Sequence, residues 1–189
     1  MTAPLTDLLN GLNSVFKQTG SPWYVFGAQA AIIHGSSRLT ADVDVTVMYQ
    51  DRSVENLVEV LKANGFDIRV ADAAIFVTRS RVLPVLHLKS GMPVDIVFGG
   101  PGIEESFARR ALQCEIEGIK VPIASGEDVV SMKILAGRDK DLEDALSIIS
   151  AQLEKLDLLH IQTTLEMLEE ALDRRDLLPI LNDLIRRAK

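Results

Sequence analysis

Asp42 and Asp44 alternate with Val43, Val45 and Val47 in the stretch "DVDVTV", and no other feature limits the possible folds of this chain as strongly. A period of two is that of a β-strand, which places Asp42, Asp44 and Thr46 on one face and the valines on the other. Carboxylates side by side on a strand are costly to bury unless something positive compensates them. The expected compensation is a bound cation.

The segments around this strand alternate between the two periodicities. Leu5, Leu8, Leu9, Leu12, Val15 and Phe16 recur at helical spacing, and Gly20 with Pro22 ends that helix before the short strand "WYVF". A helix starting near Gly27 follows and runs through "AQAAIIH", ahead of "DVDVTV". Ser53 opens another helix that Asn64-Gly65 closes. The segments "AIFVTR", "LPVLHLK" and "PVDIVF" read as strands, "IEESFARRAL" as a helix and "KVPIA" as a short extended piece. From Ser125, with Asp128 three residues on as in a capping box, the pattern is helical to Lys189. The expected architecture is therefore α/β (α+β): a mixed sheet flanked by helices over residues 1–124, followed by a C-terminal helical bundle over 125–189.

Composition narrows the functional classes. A chain of 189 residues with 47% hydrophobic content buries a sizeable core. Its net charge of −7 argues against coating nucleic acid through uniform positive charge, although local basic patches remain available. The single Cys114 excludes an internal disulfide or a cysteine-based zinc cluster and fits a reducing compartment. The N-terminal stretch lacks the order of a secretory signal, and no apolar run reaches the roughly 18 residues of a membrane span. A soluble, cytoplasmic protein with no membrane partner is expected.

Three features combine into a candidate site. Gly27-Ala28 stands at a strand-to-helix turn, Asp42 and Asp44 on the next strand, and Asp95 within "PVDIVF" on a later one. A helix that opens on glycine lets backbone N–H groups approach a phosphate closely, with the favourable end of the helix dipole behind them. Carboxylates from neighbouring strands can hold one or two Mg²⁺ ions, which prefer hard oxygen ligands and keep substrate phosphates as partners.

These residues resemble the signature of the nucleotidyltransferases related in fold to DNA polymerase beta: a Gly-Gly or Gly-Ser pair, a spacer, an acid–x–acid pair between hydrophobics and a third acid on a later strand. More narrowly, "HGSSRLTADVDV" together with "SGEDVVSMKILAGRDKDLEDALSI" is similar to small bacterial proteins akin to the toxin component of abortive-infection systems. The resemblance spans roughly Tyr24 to Ile149. It departs at Ala28, where Ser or a second Gly is usual; alanine offers a backbone N–H but no hydroxyl.

The resemblance implies a Mg²⁺-dependent transfer of a nucleoside monophosphate from an NTP, such as ATP, to an acceptor hydroxyl, with release of pyrophosphate. Asp42, Asp44 and Asp95 become the catalytic and metal-holding acids, with two ions expected. Gly27, Ala28, Ser36, Arg38 and Lys133 become the nucleotide-binding set. Each has a plainer reading: Arg38 as a surface partner of an acid, Ser36 as a turn residue, Lys133 as a lysine whose stem snorkels along an apolar stripe. The run "RDKDLED" reads as a helix start with local ion pairs, Asp141 and Asp144 organising the helical segment. The acceptor is expected to be RNA or protein, with an antitoxin-like partner, and the arginine pairs 174–175 and 186–187 could favour RNA phosphate. Two rivals stand beside this: a non-catalytic nucleotide- or partner-binding protein of the same fold, and an antibiotic-modifying nucleotidyltransferase.

Overall fold

The structure is a computed structural model that describes residues 3–38, 40–49 and 52–189; Leu39, inside the motif quoted above, lies outside them. Contacts divide the chain into two compact units, Met1–Phe26 with Thr40–Ala124, and Gly27–Leu39 with Ser125–Lys189.

The first unit opens with α1 (Pro4–Thr19), which has Pro at its start and Gly20 at its end in the left-handed conformation, φ 60°. Its buried stripe of Leu8, Leu9, Leu12, Val15 and Phe16 is the apolar face read from the sequence. Next come β1 (Trp23–Phe26), β2 (Val43–Val47), α3 (Val54–Ala63), β3 (Phe66–Ile68), α4 (Ala73–Ser80), β4 (Val82–His87), β5 (Met92–Phe98), α5 (Ile103–Arg110), β6 (Leu112–Ile116) and β7 (Ile119–Ile123); α2 belongs to the second unit. Among the described residues these strands make one seven-stranded sheet in the order β3-β4-β5-β2-β1-β7-β6. The β2/β5 and β1/β7 neighbours are parallel and the others antiparallel. α1 packs on β5, β7 and α3. Fully buried Val43, Val45, Val47, Val94, Ile96, Val121 and Ile123 form the sheet's share of the core.

One segment differs in kind from the sequence reading. "AIFVTR" is not a strand: Asp72 caps it by accepting a hydrogen bond from the Ile75 N–H at 2.9 Å, and Ala73–Ser80 is helix α4. Its β-branched residues suggest a strand, but Ile75 and Phe76 are both exposed while Val77 is buried, which is not alternation. The place beside β4 goes instead to the three residues of β3. Helix α5 also stops at Arg110, because Leu112 begins β6, the partner of the expected piece "KVPIA" in a hairpin. The hairpin loop Glu117-Gly118 has φ of 48° and 84°, the double left-handed conformation of a type I′ turn.

The second unit contains α2 (Gly27–Ile33), α6 (Gly126–Ala136), α7 (Asp139–Gln152), α8 (Leu158–Leu172) and α9 (Leu177–Ala188). α2 packs on α6 and α7, and the four later helices pack on one another around Val130, Ile134, Ile148, Ile161, Leu165 and Leu181. Buried Glu169 accepts hydrogen bonds from the Leu177 and Leu178 N–H groups at 2.7 and 3.2 Å, which satisfies the start of α9. No helix of the described residues is long and apolar enough to cross a membrane.

Candidate functional site

The acids belong to the first unit. β2 and β5 run parallel with Asp44 in register with Asp95, so the two side chains leave the same face of adjacent strands. Two contacts hold this register near the acids: the valines buried beneath β2, and the Gly99 N–H donating to the Val47 carbonyl at 2.9 Å. A Cβ on Gly99 would lie 2.6 Å from Met48 Sδ and 3.0 Å from Thr46 Cγ2, so glycine allows the chain to leave β5 against β2. Thr46, on the acid face of β2, is only 3% exposed and is covered here.

Asp42 precedes β2 by one residue and is exposed, and its carboxylate accepts a short hydrogen bond from Thr40. Asp44 and Asp95 are half-buried. Among the described residues no group of three His, Cys, Asp or Glu side chains is gathered closely enough to hold a metal ion. The structure therefore unites Asp44 and Asp95 by register and leaves Asp42 turned toward its own turn. The donor set suits a hard divalent cation in its chemistry, carboxylate oxygens alone.

The other candidate residues belong to the second unit. Gly27 has φ 66°, a left-handed backbone that the missing side chain permits where the chain turns from β1 into α2; Ala28 is buried at 8% exposure. Ser36, Arg38 and Lys133 meet at one carboxylate. Asp144 of α7 accepts from Ser36 Oγ at 2.7 Å, from Arg38 at 3.1 Å and from Lys133 Nζ at 2.7 Å. Lys133 also donates to Asp141 at 3.0 Å, and Arg138 makes a short contact with the other oxygen of Asp141. The Lys133 side chain is 8% exposed and both aspartates 2%.

Charges thus alternate from Arg138 through Asp141, Lys133 and Asp144 to Arg38, each buried acid satisfied by hydrogen bonds from cations. Burial works to raise the Asp141 pKa, but hydrogen bonds and charge from Arg138 and Lys133 outweigh it and hold the carboxyl below its ordinary value. The spacing of Asp141 and Asp144, one turn apart on a helix, was the signal in the sequence for a shared partner. Which cation they share was not readable.

His34, 7% exposed, has its carbonyl bonded by the Gln152 amide at 2.7 Å. A pair that sequence reasoning missed is Asp128, wholly buried on α6, with His160 Nε2 of α8 3.1 Å from its Oδ1. Of the arginine pairs, Arg174, Arg186 and Arg187 are engaged locally. Arg174 forks onto Asp176 at 2.9 and 2.6 Å and reaches the Leu135 carbonyl at 3.2 Å, while Arg186 and Arg187 share Asp183.

The fold is shared with solved nucleotidyltransferases. The antibiotic-resistance factor ANT(2'')-Ia is 11% identical, with 91% of this chain and 95% of that one covered at a TM-score of 0.57. The lincosamide antibiotic adenylyltransferase LnuA, solved with lincomycin bound, is 15% identical over 77% of this chain and 96% of its own, TM-score 0.53. An antigenic nucleotidyltransferase-like protein from Paracoccidioides brasiliensis is 20% identical over 93% and 90%, TM-score 0.54. At these identities the likeness is one of fold. No curated protein sequence matches the chain significantly. A family model described as "Nucleotidyltransferase of unknown function (DUF6036)" matches residues 3–187, nearly the whole chain, and the protein belongs to that family of nucleotidyltransferases.

Proposed function

We propose that this nucleotidyltransferase moves a nucleoside monophosphate from an NTP such as ATP to a hydroxyl on RNA or protein, releasing pyrophosphate. The observation that carries the reading is the parallel register of Asp44 with Asp95. In this reading Asp42, Asp44 and Asp95 hold Mg²⁺, two ions in all, with Asp42 turning from Thr40 to complete the set. When bound, the metal supplies positive charge to the reacting phosphate oxygens. Asp95 also accepts the proton of the attacking hydroxyl, and the protein otherwise positions the reactants.

The Gly27 and Ala28 backbone N–H groups, Ser36 and Arg38 serve the triphosphate. Arg38 is suited to it because its side chain is 35% exposed while Asp144 holds it from behind. Lys133 belongs to the same set and acts through the carboxylates it neutralises, since Asp141 and Asp144 left bare would repel an anionic ligand. An antitoxin-like partner and a cytoplasmic location go with this reading.

The fold shared with ANT(2'')-Ia and LnuA favours one second reading, transfer to an antibiotic hydroxyl. Its arginine pairs being partly neutralised by Asp176 and Asp183, the chain has less to offer an RNA backbone than its sequence suggested. The test is incubation of the purified protein with each labelled NTP, Mg²⁺ and, separately, total RNA, cell protein, tobramycin or lincomycin. Label in RNA or protein, with metal-dependent pyrophosphate release, is expected. Label in the drug alone would establish the second reading, and no transfer with nucleotide still bound would leave a binding protein.

A further inference from the structure

The two edges of the sheet are built differently. β3 at one edge has three residues, and Asp67 turns its carboxylate onto the Ile68 N–H at 3.0 Å, occupying a backbone group that a foreign strand would use. β6 at the other edge has five residues, no proline and one charge, and among the described residues no strand pairs with its outer side.

The hairpin fixes which groups β6 directs outward. Across the two-residue Glu117-Gly118 turn, Ile116 and Ile119 form the closing hydrogen-bonded pair, so Cys114 with Val121 and Leu112 with Ile123 are hydrogen-bonded pairs too. Gln113 and Glu115 alternate with them and direct their N–H and C=O groups away from β7. Pro122, which has no N–H to give, falls opposite Gln113, where β6 asks for none.

We propose that β6 pairs antiparallel with β6 of a second copy of this chain, about a two-fold axis through Cys114. In that register Gln113 faces Glu115 of the other copy and Glu115 faces its Gln113, each an amide against a carboxylate, joined by four backbone hydrogen bonds. On its own hairpin Glu115 is already in register with Lys120, so its charge has a cation on one side and an amide on the other. On the opposite face Leu112, 49% exposed, meets Ile116 of the other copy, and the two Cys114 residues stand between. An axis through Glu115 would oppose two carboxylates, and one through Gln113 would leave Ile116 without a facing residue from β6. Self-pairing through Cys114 is the register in which all five residues find a complementary partner. A lone strand pair buries less than the roughly 1,200 Å² of a stable complex, so the dimer is reversible and concentration-dependent.

The Cys114 pair is a non-hydrogen-bonded one, with Cα atoms about 4.5 Å apart, which makes it a reporter for a short thiol cross-linker. Sedimentation across a concentration series should show a monomer–dimer equilibrium, and a short bismaleimide should trap a covalent dimer that Cys114→Ser no longer forms while still sedimenting as a dimer. Gln113→Pro removes an outward N–H and the side-chain amide that faces Glu115, one of each in each copy, and should weaken dimerisation at least about tenfold. Leu112→Lys, at an exposed position, should do so independently, and circular dichroism with a cooperative thermal transition reports that both variants fold. A protein that stays monomeric at every concentration, or a dimer that neither variant weakens or Cys114 fails to trap, would overturn the proposal.

Discussion

Lys133 and Asp144 stand 2.7 Å apart, ammonium to carboxylate, with both side chains under a tenth exposed. Such a pair costs most when one member is removed, because the other is left charged and dry. Ser36 and Arg38 still bond Asp144 and Arg138 still bonds Asp141, so Lys133→Met should lower stability by about 1–3 kcal/mol in urea unfolding. An unchanged unfolding midpoint with lost nucleotide affinity would instead make Lys133 a direct phosphate ligand.

Asp95→Asn keeps the volume of the side chain and removes a charge that stands in register with Asp44. Turnover should fall at least about a hundredfold. Thermal stability should hold or rise, since one of two neighbouring carboxylates no longer repels the other. Near-normal turnover would end the carboxylate reading of the site.

Stability should decline with acidification in two stages. Burial against Phe66 lowers the His87 pKa below 6.5, with Asp7 opposing the shift and Lys89 adding to it. The unfolded chain then takes up the proton more readily, so this contribution is whole above pH 6.5 and is lost as pH falls through 6.5 to the folded value. Asp141, held below 3.8, adds a second loss as pH falls through its own folded value. Unfolding midpoints measured from pH 8 to pH 3 should show both stages, and His87→Gln should flatten the first.

Gly35 has φ 119°, and a Cβ there would lie 2.6 Å from Ala151 Cβ on α7. Gly35→Ala combines backbone strain with overpacking and should cost about 1–3 kcal/mol. The loop it begins contains Ser36 and Arg38, so nucleotide affinity should fall with it, as titration calorimetry would show.

The parts of this fold legible in the sequence are those where side chain and backbone agree. Val43, Val45 and Val47 alternate and are wholly buried, and Ser53 and Ser125 cap the helices they open. Helix α4 was not legible, because Ile75, Phe76 and Val77 favour a strand locally and the cap at Asp72 with its packing on α3 and β4 decides otherwise. β6 was hidden because an edge strand with no fully buried residue has no core to impose a strong pattern. At the candidate site Asp44 and Asp95 lie on the strands that spacing predicts, whereas Asp42, expected on the same strand as Asp44, lies one residue before it. That Asp42 turns to Thr40 is a side-chain choice between near neighbours, and that one carboxylate of α7 collects Lys133 together with Ser36 and Arg38, the last two more than a hundred positions away, depends on tertiary contact; periodicity encodes neither.

Parallel pairing of β2 with β5 gives the acids a history as well as a place. The β4–β5 hairpin and the β1–β2 pair close over short stretches of chain, whereas Asp44 and Asp95 come from strands about fifty residues apart that meet only after α3, β3, α4 and β4 have been threaded between them. Each carboxylate therefore spends the early part of folding alone. In refolding from denaturant, helical circular dichroism should recover first and the divalent-cation affinity proposed for these acids last.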